Sequence, residues 1–152
     1  MQLTELVSPK SVTGSLSASS KKRLLERMGE LLHEDHPELD EHEAFHSLFE
    51  RERLGSTGIG HGVALPHGRI KGLKKAIGAF AILQNEMDYD AIDQQPVRMA
   101  FALLVPEETN EEHLQILSTL ARLFDQEDLR QRLLHAQNES ELYQTLTGQD
   151  PG

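Results

Sequence analysis

One segment of the chain holds most of the side chains able to do chemistry. From Arg51 to Arg69 it reads RERLGSTGIGHGVALPHGR, with His67 between Pro66 and Gly68. A neutral imidazole nitrogen is a good nucleophile toward phosphorus, and histidine titrates near physiological pH. Such a ring takes up and releases a phosphoryl group readily. Pro66 fixes φ and stiffens the approach to His67, while Gly68 is expected to turn the backbone sharply, displaying the ring at the end of a short strand at Val63 to Leu65. Backbone N–H groups of the glycine-rich loop, with Gly55, Gly58, Gly60 and Gly62, are candidate phosphoryl donors. Arg51 or Arg53, at the end of the preceding helix, is the candidate guanidinium for two phosphoryl oxygens. The loop lacks the Gly-Lys-Ser/Thr ending of a nucleotide-binding loop and does not lead from a strand into a helix.

Local spacing alone leaves rivals open. A Pro-His-Gly corner also suits an ordinary surface turn, and Arg51 suits a solvated cation at the negative end of a helix dipole. His42 and His46 stand one helical turn apart and, with His33 and His36, invite a metal reading. They are interleaved with Glu34, Asp35, Glu38, Glu41 and Glu43, which reads as a solvated acidic face. A metal-dependent hydrolase built on His61, His67 and His113 would need ligands from scattered positions, since no His-Glu-x-x-His pattern is present. A pure binding module, in which His67 carries no phosphate, is the third reading. The basic run Arg69, Lys71, Lys74 and Lys75 is expected to be an exposed loop before a strand.

The elements that must position these residues follow from periodicity. Ser17 to Ser20 offer caps for a helix carrying Leu24, Leu25, Met28, Leu31 and Leu32, broken at His36-Pro37. Asp40 caps a second helix, with Glu43 completing a capping box and Ala44, Phe45, Leu48 and Phe49 forming its stripe. That helix should end near Arg53, ahead of Gly55. Ala76 to Leu83 and Val97 to Val105 are unbroken apolar runs, as expected of strands covered on both faces. Asn110 is the expected cap of a helix bearing Leu114, Leu117, Leu120, Ala121 and Phe124. Shorter helices are expected at Leu129 to Leu134 and Leu142 to Leu146.

These elements predict an α/β fold: a single layered domain over residues 1–152, ordered from about 5 to 147, with a mixed, mostly parallel sheet and helices on both faces. The 152 residues include no cysteine, which excludes disulfides, thiolate metal sites and cysteine nucleophiles, and no tryptophan to stack on bases or sugars. A formal net charge of -10 argues against nucleic acid as the main partner. No membrane span or secretory leader is visible, so a cytoplasmic protein without membrane insertion is expected. No cofactor and no metal are expected.

Glu52, six residues, Ile59-Gly60, two more, and then Val63-Ala64-Leu65-Pro66-His67-Gly68 resembles the phosphohistidine signature of phosphotransferase-system IIA domains of the mannitol/fructose class. Arg51 to Gly60, Phe101 to Pro106 and Glu141-Leu142-Tyr143 are similar to the nitrogen-regulatory branch of that family. The resemblance covers nearly the whole chain. It implies a mannitol-type IIA fold, phosphorylation of His67, and Arg51 and His113 as the residues completing the site. His113 lies three residues past the expected cap, in a first helical turn that favours an anion. The resemblance also implies a small histidine-containing phosphocarrier protein as donor, itself charged from phosphoenolpyruvate. In the nitrogen-regulatory branch it implies regulated targets such as transporters or kinases. In the sugar-transport branch the phosphoryl group passes to a IIB domain instead. His61 falls where the signature is open and is given no role.

Overall fold

The computed structural model describes residues 2–108 and 111–148. Among these residues six strands form one sheet: β1 (Val12–Leu16), β2 (Gly58–Gly60), β3 (Val63–Ala64), β4 (His67–Ile70), β5 (Ile77–Met87) and β6 (Val97–Pro106). Five α-helices accompany them: α1 (Lys21–Asp35), α2 (Glu41–Glu52), α3 (Glu111–Phe124), α4 (Glu127–Leu134) and α5 (Glu139–Thr147).

The two apolar runs make the centre. β5 and β6 pair antiparallel, and three of the five strand pairings in the sheet, β1 with β5 and β6 with both β3 and β4, are parallel. Successive residues on β5 and β6 face opposite layers and differ in size. Ala79, Ala81, Ala100 and Ala102 pack with Leu24, Leu25, Met28 and Leu48 of α1 and α2. Phe80, Ile82, Phe101 and Leu103 pack on the other face with residues of α3, α4 and α5. Phe80, Phe101 and Phe124 meet there with ring centroids 5.7–6.4 Å apart. Helices therefore cover both faces, which is why neither run alternates polar with apolar.

Helix α1 starts at Ser20, whose hydroxyl accepts from the Arg23 N–H, and α2 starts at Asp40, which accepts from the His42 N–H. The expected cap of α3, Asn110, lies outside the described residues. β1 was not expected from the sequence. Only its end residues Val12 and Leu16 are buried, and Thr13, Gly14 and Ser15 between them carry no apolar pattern. β1 is also an edge strand. Its Gly14 N–H is taken by the Glu139 carboxylate at the start of α5, at 3.0 Å.

The segment through His67 departs from expectation in an informative way. β3 pairs Val63 with Met99, and β4 pairs His67 with Leu103, so both lie in the same register along β6. Pro66 has no N–H to give and interrupts the ladder, but its carbonyl still accepts from Leu103 N–H at 2.9 Å. Gly68 does not turn the chain; it continues β4. It is glycine for clearance, because a Cβ there would lie 2.1 Å from Ser47 Oγ and 2.9 Å from the Ser47 backbone of α2. Arg69 likewise belongs to β4 rather than to a loop, while Lys71, Lys74 and Lys75 are exposed beyond it.

Candidate functional site

α2 crosses the outer side of β4 and is pinned there by the Ser47 hydroxyl, which donates to the Arg69 carbonyl at 2.7 Å. One turn further along α2 is Arg51, and at the start of β4 is His67. The third wall comes from the first turns of α3, with His113, Leu114 and Leu117. Together they enclose a cleft of about 750 Å³ that Arg51, His67 and His113 all line. The three residues that the sequence and its resemblance single out, from three separated elements, are thus brought to one place.

His67 is half-buried, and its Nδ1 lies 2.8 Å from the Leu65 carbonyl oxygen. A carbonyl only accepts, so the contact is a hydrogen bond when Nδ1 carries the proton, and the lone pair then sits on Nε2. Burial pushes the ring's pKa below its ordinary value of 6.5; the Leu65 bond opposes that, the Arg51 charge adds to it, and the Glu52 charge opposes it. The net direction is downward, so the ring is neutral and nucleophilic at physiological pH.

Arg51 donates to the Gly55 carbonyl at 2.9 Å, which ties the helix end to the glycine loop. Arg53, the other candidate guanidinium, is exposed, pairs with Glu50 at 3.1 Å and does not line the cleft. Of the basic run, Arg69 and Lys71 reach the cleft wall. Glu43, Glu50 and Glu107 line it too, so the field there is mixed in sign. Two large apolar side chains on the cleft stand in solvent, Leu54 at 84% and Leu114 at 58% exposure.

His61 is elsewhere. It occupies a left-handed turn (φ 58) between Gly60 and Gly62, its N–H donates to Asp93, and its ring stands 3.6 Å from Asp125. It does not line the cleft, so a metal set of His61, His67 and His113 is not assembled. Among the described residues no three His, Asp or Glu side chains are grouped to hold a metal ion.

Glu52 was read from the sequence only as a motif position, and its setting was missed. The residue is 6% exposed, and its carboxylate accepts from the Thr57 N–H at 3.1 Å, the Thr57 hydroxyl, and the Tyr89 hydroxyl at 3.0 Å. Lys21 Nζ stands 3.1 Å away and lies over the Tyr89 ring. Burial raises the Glu52 pKa, but these donors outweigh it and hold the carboxyl below its ordinary range. The signal was available: Ala44, Leu48 and Glu52 recur every fourth residue, which puts Glu52 on the buried stripe.

Residues 5–148 match the family described as phosphoenolpyruvate-dependent sugar phosphotransferase system, EIIA 2. The chain belongs to this family. It is 40% identical over 146 residues to a nitrogen regulatory protein of Pseudomonas aeruginosa, covering 96% of this chain and 95% of that one. It is 38% identical to the nitrogen regulatory protein of Escherichia coli, over 97% of this chain and 90% of the relative. Among solved structures, the nitrogen regulatory protein IIA-Ntr of Neisseria meningitidis superposes with a TM-score of 0.88 at 41% identity, covering 95% of this chain and 99% of that one. The IIA mannitol protein of Escherichia coli shares the EIIA 2 fold, with a TM-score of 0.76 at 21% identity, over 92% and 98% of the two chains. The α/β architecture expected from the sequence is thus that of mannitol-type IIA proteins.

Proposed function

We propose that the protein is a phosphocarrier that accepts a phosphoryl group on His67 Nε2 and controls other proteins through its phosphorylation state. The observation that carries this reading is the convergence of a half-buried, neutral His67 with Arg51 and His113 on one cleft. The donor is a phosphohistidine on a small carrier protein, charged in turn from phosphoenolpyruvate. The Nε2 lone pair bonds to phosphorus as the donor's N–P bond breaks, and the electron pair of that bond returns to the donor ring. Such transfers pass through a loose transition state and depend on positioning and charge stabilisation more than on covalent machinery. Arg51 holds phosphoryl oxygens, and the N-terminal turn of α3 with His113 contributes donors. Positive charge spreading over the His67 ring is stabilised at Nδ1–H by the Leu65 carbonyl. The carboxylates along the cleft keep it from being a phosphate sink, which suits a group that must leave again.

Regulation follows from the rim. A phosphoryl group adds about -1.5 to -2 charge. Placed beside exposed Leu54 and Leu114, it changes what docks there without refolding the chain. The nitrogen regulatory names of the relatives at about 40% identity favour a regulatory role over onward transfer to a IIB domain.

The test is a reconstituted relay of phosphoenolpyruvate, the kinase that charges the carrier, and the carrier itself. An acid-labile phosphate should appear on the wild type and be absent from His67→Ala. A wild type left unlabelled, while a control acceptor is labelled in the same tube, refutes the reading.

A further inference from the structure

We infer that Glu52 is a positioning residue for His67, acting through Thr57 and Leu65 to hold the imidazole as the tautomer whose Nε2 is the nucleophile. The inference deepens the carrier reading and rests on it only for its consequence. Its basis is a hydrogen-bonded chain that runs unbroken from the buried carboxylate to the ring. The Thr57 N–H donates to Glu52, at 3.1 Å to one oxygen and 3.3 Å to the other. The Thr57 carbonyl accepts from Leu65 N–H at 2.9 Å. The Leu65 carbonyl then meets His67 Nδ1 at 2.8 Å.

Each link is there because the alternative is costly. Leu65 lies in the gap between β3 and β4, and its N–H goes to the Thr57 carbonyl in continuation of the antiparallel β2–β3 register. Without Thr57, a buried Leu65 N–H would have no partner in the sheet, a loss of about 1–3 kcal/mol for a buried donor. Thr57 is itself 5% exposed and is gripped by Glu52 through both backbone and hydroxyl. Tyr89 and Lys21 fill the remaining acceptor positions of the carboxylate and fix it in turn. The glycine loop, which would otherwise be the loosest part of the site, is therefore anchored at Thr57 from the end of α2. The same helix end carries Arg51. One carboxylate thus sets the phosphoryl-binding arginine and the imidazole in a common frame.

Glu52 contributes charge as well as position. Its field favours the protonated ring, against burial and Arg51. Glu43, Glu50, Arg69, Lys71, Glu107 and His113 also face the cleft, but they are unchanged when Glu52 alone is replaced.

The experiment is ¹⁵N spectroscopy of the His67 ring in the unphosphorylated protein, for the wild type, Glu52→Ala and Glu52→Gln. No phosphoryl donor is present, so the inference can fail while the carrier reading stands, and the reverse. The neutral wild-type ring should show one tautomer, with the proton on Nδ1. Folded Glu52→Ala should show a mixture of the two tautomers. Glu52→Gln keeps an oxygen for the Thr57 N–H and loses the charge, so it should keep the Nδ1–H tautomer and titrate at lower pH than the wild type. In the relay, Glu52→Gln should then recover most of the acceptance rate that Glu52→Ala loses, which a general loss of stability would not explain. A wild-type tautomer in folded Glu52→Ala overturns the inference. If Glu52→Ala does not fold, Glu52→Met, which keeps the volume and removes the acceptor, takes its place, and a wild-type tautomer in folded Glu52→Met overturns the inference.

Discussion

Two neighbours on one helix, Arg51 and Glu52, act on His67 in opposite directions, and burial decides between them. The folded ring titrates below 6.5, so the fold favours its neutral form. Its contribution to stability is then complete above pH 6.5 and is lost as pH falls through the lower folded value. The functional expectation has the same sign. The decline in the rate of phosphoryl acceptance as pH falls should be centred below 6.5. A rate profile for the relay with the carrier held saturating checks this, and a decline already centred above 6.5 would contradict the buried, neutral ring. At this scale the sequence singles out His67, because Pro-His-Gly stands inside a long signature, and the structure puts that residue on the cleft. Spacing left Arg51 and Arg53 as equal candidates at one helix end; the family resemblance singled out Arg51, and only Arg51 lines the cleft. Glu52 was hidden by its chemistry: a carboxylate reads as solvated until its donors, from α1, the glycine loop and the loop after β5, are assembled around it.

At the level of elements, the site depends on how closely α2 lies on β4. A Cβ on Gly68 would meet both the hydroxyl and the backbone of Ser47, and the backbone of α2 cannot yield as a flexible side chain would. Gly68→Ala should move α2 outward, costing about 1–3 kcal/mol as overpacking does. It should also slow phosphoryl acceptance, because the helix that shifts carries Arg51. Denaturant unfolding and the relay rate, measured on the same preparation, check both effects; full activity with unchanged stability would mean that α2 does not rest on Gly68. The main helices and the long strands were readable from periodicity and caps. β4 and β1 were not. β4 is preceded by Pro66 and carries Gly68 as its second residue, a pair that reads as a turn, and it exists because β6 offers a parallel edge in continuing register. β1 alternates too little to show, and owes its place to β5.

Across the whole molecule, two cores lie back to back through a sheet whose small residues face α1 and α2 and whose aromatic residues face α3 to α5. This division was implicit in the unbroken apolar runs, although no sequence pattern said which helices would share a face. The site straddles the division: Arg51 comes from one layer, His113 from the other, and His67 from the sheet between them. A sheet in this arrangement must end somewhere, and at β1 it ends against the Glu139 carboxylate, which takes the Gly14 N–H and approaches the Thr13 hydroxyl. An incoming strand from a second molecule would have to displace a charged acceptor to reach that donor. Glu139→Ala should leave His67 chemistry intact and expose the rim to strand addition, seen as faster growth of light scattering on mild heating. Equal scattering from the two proteins would show that another feature guards β1. Under the proposed function, in which Leu54 and Leu114 face partner proteins, a guarded β1 edge keeps strand addition from competing with those contacts.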